Sequence, residues 1–393
     1  DAPRAARFAR VWLVISILAI TLLIVGTRHL IDPFGRPFGA DFLSFWTASR
    51  IALLGRPALV YDVTVHQAAQ TALLGHPVDY SAFFYPPVFL LICLPLALLP
   101  YAASLALWMA TTGGAYVAVV RRWFPEGGWL AALAFPAVFI NLGNGQNGFL
   151  SGALFGGGAL LLGRRPFLAG ALMGGLVYKP HLGLVIPIAL IAWGRWKALA
   201  GAAASSMLLC LAATLAFGSA TWRGFLRASA LARHALEANL VGNQKMQSLF
   251  AAVRLFHGGL GLAYLAQILL SSGACVALIL AGRKARTADG EGPALIAATL
   301  LCSPFLLDYD LTLLAFPLAW LASRGLRSGF QPWEKAILAA GFLLPGISRP
   351  IATAFGLPLA PLVLLAVFCA VLRRWMAPSS SADLTASRLI PIK

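Results

Sequence analysis

The chain has 393 residues, of which 60% are hydrophobic and only 11% charged, with a mean hydropathy of +0.82. A soluble domain is nearer about 45–50% apolar and about a quarter charged, so a water-soluble globule is excluded. The net charge of +17 is not a nucleic-acid footprint, because the basic residues fall in short clusters between long apolar runs.

The first apolar run, Val11 to Val25, follows Arg4, Arg7 and Arg10 and is closed by no A-x-A site, so it reads as a retained helix and not a cleaved leader. Further apolar segments follow at 101–120, 129–143, 147–163, 166–178, 181–193, 198–218, 259–282, 293–307, 309–323, 335–348 and 356–372. The pattern predicts an all-α polytopic membrane protein with about 12 transmembrane helices and with juxtamembrane or re-entrant helices on the outer face. Several segments are short for a hydrocarbon core about 30 Å thick at about 1.5 Å per residue. Residues 1–378 form one transmembrane domain with outer loops at 28–100 and 219–258, and 379–393 read as a cytoplasmic tail. The five cysteines lie in or beside apolar segments, without CxxC or zinc spacing, and read as buried thiols.

Alternation from an inside N-terminus puts nineteen of the thirty cations inside, for a net +13 inside and +4 outside, as the positive-inside rule requires. The stretch Phe83 to Pro100 does not fit as a crossing, because it would turn Arg121/Arg122, Arg164/Arg165 and Arg195/Lys197 outward. It is expected to re-enter from the outer side, kinked at Pro95; the alternative is a thirteenth crossing, with an odd total that moves one terminus. Within the first outer segment, Asp41 to Leu54 reads as an amphipathic helix with Trp46 on its apolar side.

With sides assigned, five polar clusters fall at one membrane boundary: Asp41; Gln146 with Asn147; Lys179 with His181; Asn243, Gln244 and Lys245; and Asp308, Tyr309 and Asp310. Ionisable groups at such a boundary are functional candidates by default. Each also has a plainer reading. Asp41 suits a helix cap, Lys179 a snorkelling lysine, and Asn141–Asn147 a tight turn with Gly143 and Gly145 at positive φ. Asp308 and Asp310 suit acceptor binding, helix caps or a weak metal site, and no second cluster argues for metal. There is no GxxxxGK[ST], GxGxxG after a strand, HExxH or GxSxG, so nucleotide hydrolysis, zinc proteolysis and elbow-type serine hydrolysis lack support.

Six segments in order, GADFLSFWTASRIALLGRPALVYD (39–62), YPPVFLLICLPLALLP (85–100), GNGQNGFLSGALF (143–155), LAGALMGGLVYKPHLGLVIP (168–187), NQKMQSLFAAVR (243–254) and SPFLLDYDLTLL (303–314), resemble glycosyltransferase family 87 over roughly residues 8–375. The resemblance implies a GT-C-type fold and an inverting transfer of a sugar, mannose favoured, from a polyprenyl-phosphate donor to a glycolipid or glycan acceptor. It implies a bacterial inner membrane, a site facing the periplasm, membrane lipids and lipid-linked sugars as partners, no nucleic acid, and no cofactor or metal. Asp41 takes the position of the base, and Lys179, with His181 and Lys245, that of the donor-phosphate cation. Gln146, Asn147, Asn243, Gln244, Asp308, Tyr309 and Asp310 remain for sugar and acceptor. The family's Trp-Asp-His stands here as Leu307-Asp308-Tyr309, so a histidine role has no counterpart there.

Two rival classes have their own signatures. A twelve-helix secondary transporter would place its site at the midplane between internal repeats, whereas the charges here gather at one boundary. A polyprenyl-diphosphate-dependent glycan transferase would draw on outer arginines such as Arg223, Arg227 and Arg233.

Overall fold

The computed structural model describes residues 2–285 and 287–377; the expected tail 379–393 lies outside them. In chain order the helices are α1 (Ala2–Gly26), α2 (Phe42–Leu53), α3 (Val63–Leu74), α4 (Pro87–Cys93), α5 (Tyr101–Trp123), α6 (Gly128–Leu133), α7 (Pro136–Asn144), α8 (Gly148–Leu161) and α9 (Pro166–Gly174). They continue with α10 (Pro180–Gly183), α11 (Val185–Ala192), α12 (Trp196–Glu237), α13 (Leu249–Leu255), α14 (Leu260–Lys284), α15 (Glu291–Cys302), α16 (Ala315–Ser328), α17 (Glu334–Phe355) and α18 (Ala360–Met376). Short 3₁₀ turns, among them Asn243–Lys245 and Asp308–Leu314, join them. Among the described residues there is no strand, only isolated bridges such as Met246–Leu307.

This is an all-α membrane protein. Each apolar segment found in the sequence is a helix or a pair of helices, but among the described residues only α1, α5, α12, α14 and α17 are long and apolar enough to cross a membrane. Proline explains much of the difference. Pro87, Pro136, Pro166 and Pro180 each open a helix, where a fixed φ and a missing N–H do no harm, and so each breaks the run before it. Thus 129–143 is α6 and α7, 181–193 is α10 and α11, and 83–100 is α4 plus a 3₁₀ turn at Leu96–Leu98.

One sequence expectation is corrected. Residues 41–54 do form a helix, but α2 is buried nearly all round and lies in the core instead of along an interface. Two of its small hydroxyls help explain this: Ser44 donates to the Asp41 carbonyl at 2.9 Å, and Ser49 donates to the Leu94 carbonyl at 2.7 Å and accepts from the Ala97 N–H at 3.0 Å, so both are satisfied without water. The segment 219–258 begins with a further helical stretch, since α12 continues to Glu237 after a sharp turn at Gly218 (φ 75°, ψ 168°), the predicted end of the 198–218 segment.

Close packing of α9 on α12 fixes the floor beneath the Lys179 segment. A Cβ on Gly170 would land on the Ala198 carbonyl, and one on Gly201 on the Phe167 carbonyl, so the two backbones touch through small residues as membrane helices often do. Gly170→Leu is expected to abolish stable folding, seen as loss of a monodisperse peak in detergent. Ala at the exposed Gly163, where nothing lies within 4 Å, should leave that peak unchanged.

Each of the following ion pairs joins groups that the sequence assigns to one and the same side. Arg195–Glu291, Arg324–Asp289, Arg327–Glu126 and Arg374–Glu334 pair groups that alternation assigns to the inside. Lys179–Asp310, Arg349–Asp308 and Arg233–Glu237 pair groups assigned to the outside.

Candidate active site

Asp41 stands at the N-cap of α2, yet its carboxylate makes no capping hydrogen bond. By contrast, Asp62 caps α3 by accepting from the Val65 N–H at 3.0 Å. The Asp41 main chain is anchored instead, its N–H donating to the Asn144 carbonyl at 3.0 Å. The plain capping reading therefore fails, and the carboxylate is left to face its neighbours. Burial pushes its pKa up from 3.8 to about 6; Asp308 pushes the same way, while Gln146, Lys245 and Lys179 pull it down. Four of the five clusters predicted from sequence thus act on one carboxyl group.

The amide segment is partly a helix end and partly a turn. Asn141–Asn144 close α7, and only Gly145 takes a positive φ (66°); Gly143 is helical, against the expectation. Asn141 locks the segment, its Nδ2 donating to the Gln146 carbonyl at 3.1 Å and its Oδ1 accepting from the Gly148 N–H at 2.8 Å. Gln146 Oε1 accepts from the Asn147 N–H at 2.7 Å, and its amide meets the Tyr85 hydroxyl at 3.3 Å. Asn147 is fully buried, with neither side-chain atom hydrogen-bonded among the described residues. An unsatisfied buried amide is costly, and a sugar hydroxyl is the type of group that would satisfy it.

Lys179 follows the Gly175–Tyr178 turn in a non-helical conformation (φ −126°, ψ 74°), set by the proline after it. It does not snorkel: its side chain is 3% exposed, its Nζ donates to Asp310 Oδ1 at 2.6 Å, and it sits over the Tyr309 ring at 4.9 Å. Asp310 Oδ2 also accepts from the Leu307 N–H at 3.3 Å, so this acid serves both as a cap and as an ion-pair partner. His181 lies within electrostatic reach of Lys179 and Asp310, and its Nε2 is buried without a partner.

The remaining wall is a double loop. The Asn243–Lys245 and Asp308–Leu314 turns are tied by the Met246–Leu307 bridge and by the Gln247 N–H donating to the Leu306 carbonyl at 2.7 Å. Asp308 accepts from the Tyr309 N–H at 2.9 Å and from Arg349 Nη1 at 3.3 Å.

Sequence reasoning passed over three residues that the structure adds. Tyr85 was quoted only as part of a motif, and Asn141 only as the edge of a turn. Arg349 fell just past the end of the 335–348 segment. A signal for it existed, since Arg349-Pro350 repeats the Lys179-Pro180 pattern of a cation before a helix-disturbing proline. Among the described residues no group of three or more His, Cys, Asp or Glu is arranged to hold a metal.

The family model for glycosyltransferase family 87 matches residues 83–304, just over half of the chain. The chain belongs to glycosyltransferase family 87. This family 87 member is therefore a glycosyltransferase with membrane character, an enzyme acting on a sugar donor and an acceptor. The matched residues contain the amide segment, Lys179, His181 and Asn243–Lys245, while Asp41, Asp308–Asp310 and Arg349 lie outside them. No curated protein and no solved structure matches the chain.

Proposed function

We propose that this enzyme is an inverting glycosyltransferase of GT-C type, moving a sugar, with mannose favoured, from a polyprenyl-phosphate donor onto a lipid-linked or glycan hydroxyl at the outer face of a bacterial inner membrane. The observation that carries this reading is Asp41: a carboxylate that declines its capping role, titrates near 6, and sits among three outer cations and two further acids. It accepts the acceptor's proton as the hydroxyl oxygen bonds to the sugar's anomeric carbon and the bond from that carbon to the phosphate oxygen breaks. One negative charge passes from Asp41 to the departing phosphate, so the total charge of the site is unchanged. A phosphate leaving group needs charge stabilisation and no general acid, which fits a site with a single uncommitted carboxylate. Gln146, Asn147, Asn243 and Gln244 offer amides to sugar hydroxyls, and Tyr85 and Tyr309 offer ring faces to its C–H side. The short and broken helices beside the site suit sideways entry of a lipid tail.

The test is transfer from radiolabelled polyprenyl-phosphate mannose in proteoliposomes. Uptake of a soluble solute without glycosyl transfer would overturn the reading. A pH profile adds a second check. Asp41 works as the carboxylate, so the rate should be flat above a pH of about 6 and fall roughly tenfold per pH unit below it. A profile flat down to a pH of about 4 would remove Asp41 from the mechanism.

A further inference from the structure

The predicted donor-phosphate cation, Lys179, is already committed: its side chain is 3% exposed, paired at 2.6 Å with Asp310, and roofed by Tyr309. Freeing it for a phosphate would strand Asp310, itself 2% exposed, as an unpaired buried charge. Arg349 is differently placed. Its side chain is 36% exposed, and its only hydrogen bond among the described residues is the 3.3 Å contact from Nη1 to Asp308, so the rest of its guanidinium fork is open.

The surroundings of Arg349 are those of a ligand site. Ser348, the residue before it on α17, lines a cleft of about 10 Å³ together with Asn243, Gln244 and Pro358–Pro361, and Arg349 itself lies outside that cleft. Ser348 Oγ and Asn243 Oδ1 are both buried and have no partner among the described residues. The opening is large enough for a single oxygen atom. Just beyond it, Phe355, Leu357 and Leu362 are 73%, 49% and 70% exposed, an apolar rim at the outer end of α17 and the start of α18. A cation with an open planar fork, ion-paired to an acid of the site and followed on its helix by an exposed apolar rim, matches an anionic headgroup carried on a hydrocarbon chain.

We infer that Arg349 binds the phosphate of the lipid-linked donor, and that Lys179 is a positioning residue held by Asp310. This assignment rests on the polyprenyl-phosphate reading above. The Arg349 fork takes two phosphate oxygens, and the lipid tail leaves over Phe355 and Leu362. Asp308 keeps Arg349 aimed at the site when no donor is bound.

Binding of a long-chain polyprenyl monophosphate to detergent-solubilised enzyme tests this, with the phosphate-free polyprenol as control. Arg349→Met should weaken phosphate binding by about 10-fold or more, the range of a charged hydrogen bond, and Arg349→Lys should recover part of it. Because Arg349→Met leaves Asp308 unpaired, the double variant Arg349→Met/Asp308→Asn keeps the charge balance; it should melt like wild type and still bind weakly. Both variants binding the phosphate as wild type does would overturn the Arg349 assignment and leave the glycosyl-transfer reading intact. Wild type failing to prefer the phosphate over the polyprenol would instead overturn the donor reading, and this inference with it.

Discussion

Asp41→Asn is expected to lose transfer by about 100-fold or more, the usual contribution of a positioned base, and at the same time to unfold at a higher temperature than wild type. The two effects share one cause. The carboxyl titrates near 6 in the folded protein against an ordinary value of 3.8, so above about pH 6 the folded state carries a charge it is poorly built to hold. The penalty is absent below about pH 4, grows between 4 and 6, and is complete at neutral pH. Two units correspond to about 3 kcal/mol as an upper figure, since residual hydration of a half-buried group reduces it. Asparagine has nearly the same shape and no charge. Melting curves of the two proteins should therefore separate at pH 7.5 and converge near pH 4. A variant that is inactive and also less stable at pH 7.5 would mean that Asp41 holds the fold together, and the base assignment would lose its support.

Lys179→Met is expected to destabilise the protein by about 3–5 kcal/mol, because it strands a buried carboxylate, and Asp310→Asn should do the same by stranding Lys179. Combining them removes both charges. The double variant should regain most of the lost stability, and the cycle of four melting temperatures gives the coupling directly. Asn at 310 also keeps an acceptor for the Leu307 N–H, which an aliphatic residue would orphan. Single variants as stable as wild type would show that the pair is not the strut described here. Additive losses would show that the two side chains act separately.

Much of this was legible in the chain. The apolar segments and their sidedness depend on local composition and on cation counts, which need no tertiary information, and the ion pairs at the two ends respect that assignment. Convergence of Asp41, Gln146, Lys179, Lys245 and Asp308 was suggested only as a shared boundary; their mutual proximity comes from packing. Other features were hidden for definite reasons. A proline announces a break but not whether the halves still stack, so 129–143 and 181–193 read as single runs. Ser44, Thr47 and Ser49 made α2 look wet on one face, because sequence does not reveal that Ser44 donates to the Asp41 carbonyl and Ser49 to Leu94. Arg349 escaped because a hydropathy window ends at its first charge.

The bridge between Met246 and Leu307 carries a last consequence. Two turns separated by about sixty residues of chain share main-chain contacts, so Lys245 and Asp308 belong to one rigid wall. A site built from independent loops would have to give up backbone entropy, about 1–2 kcal/mol for each residue fixed, whenever a substrate arrived. Here that ordering is met once, when the chain folds. Binding free energy from the lipid and the sugar is then left to act at the anomeric carbon instead of assembling its surroundings.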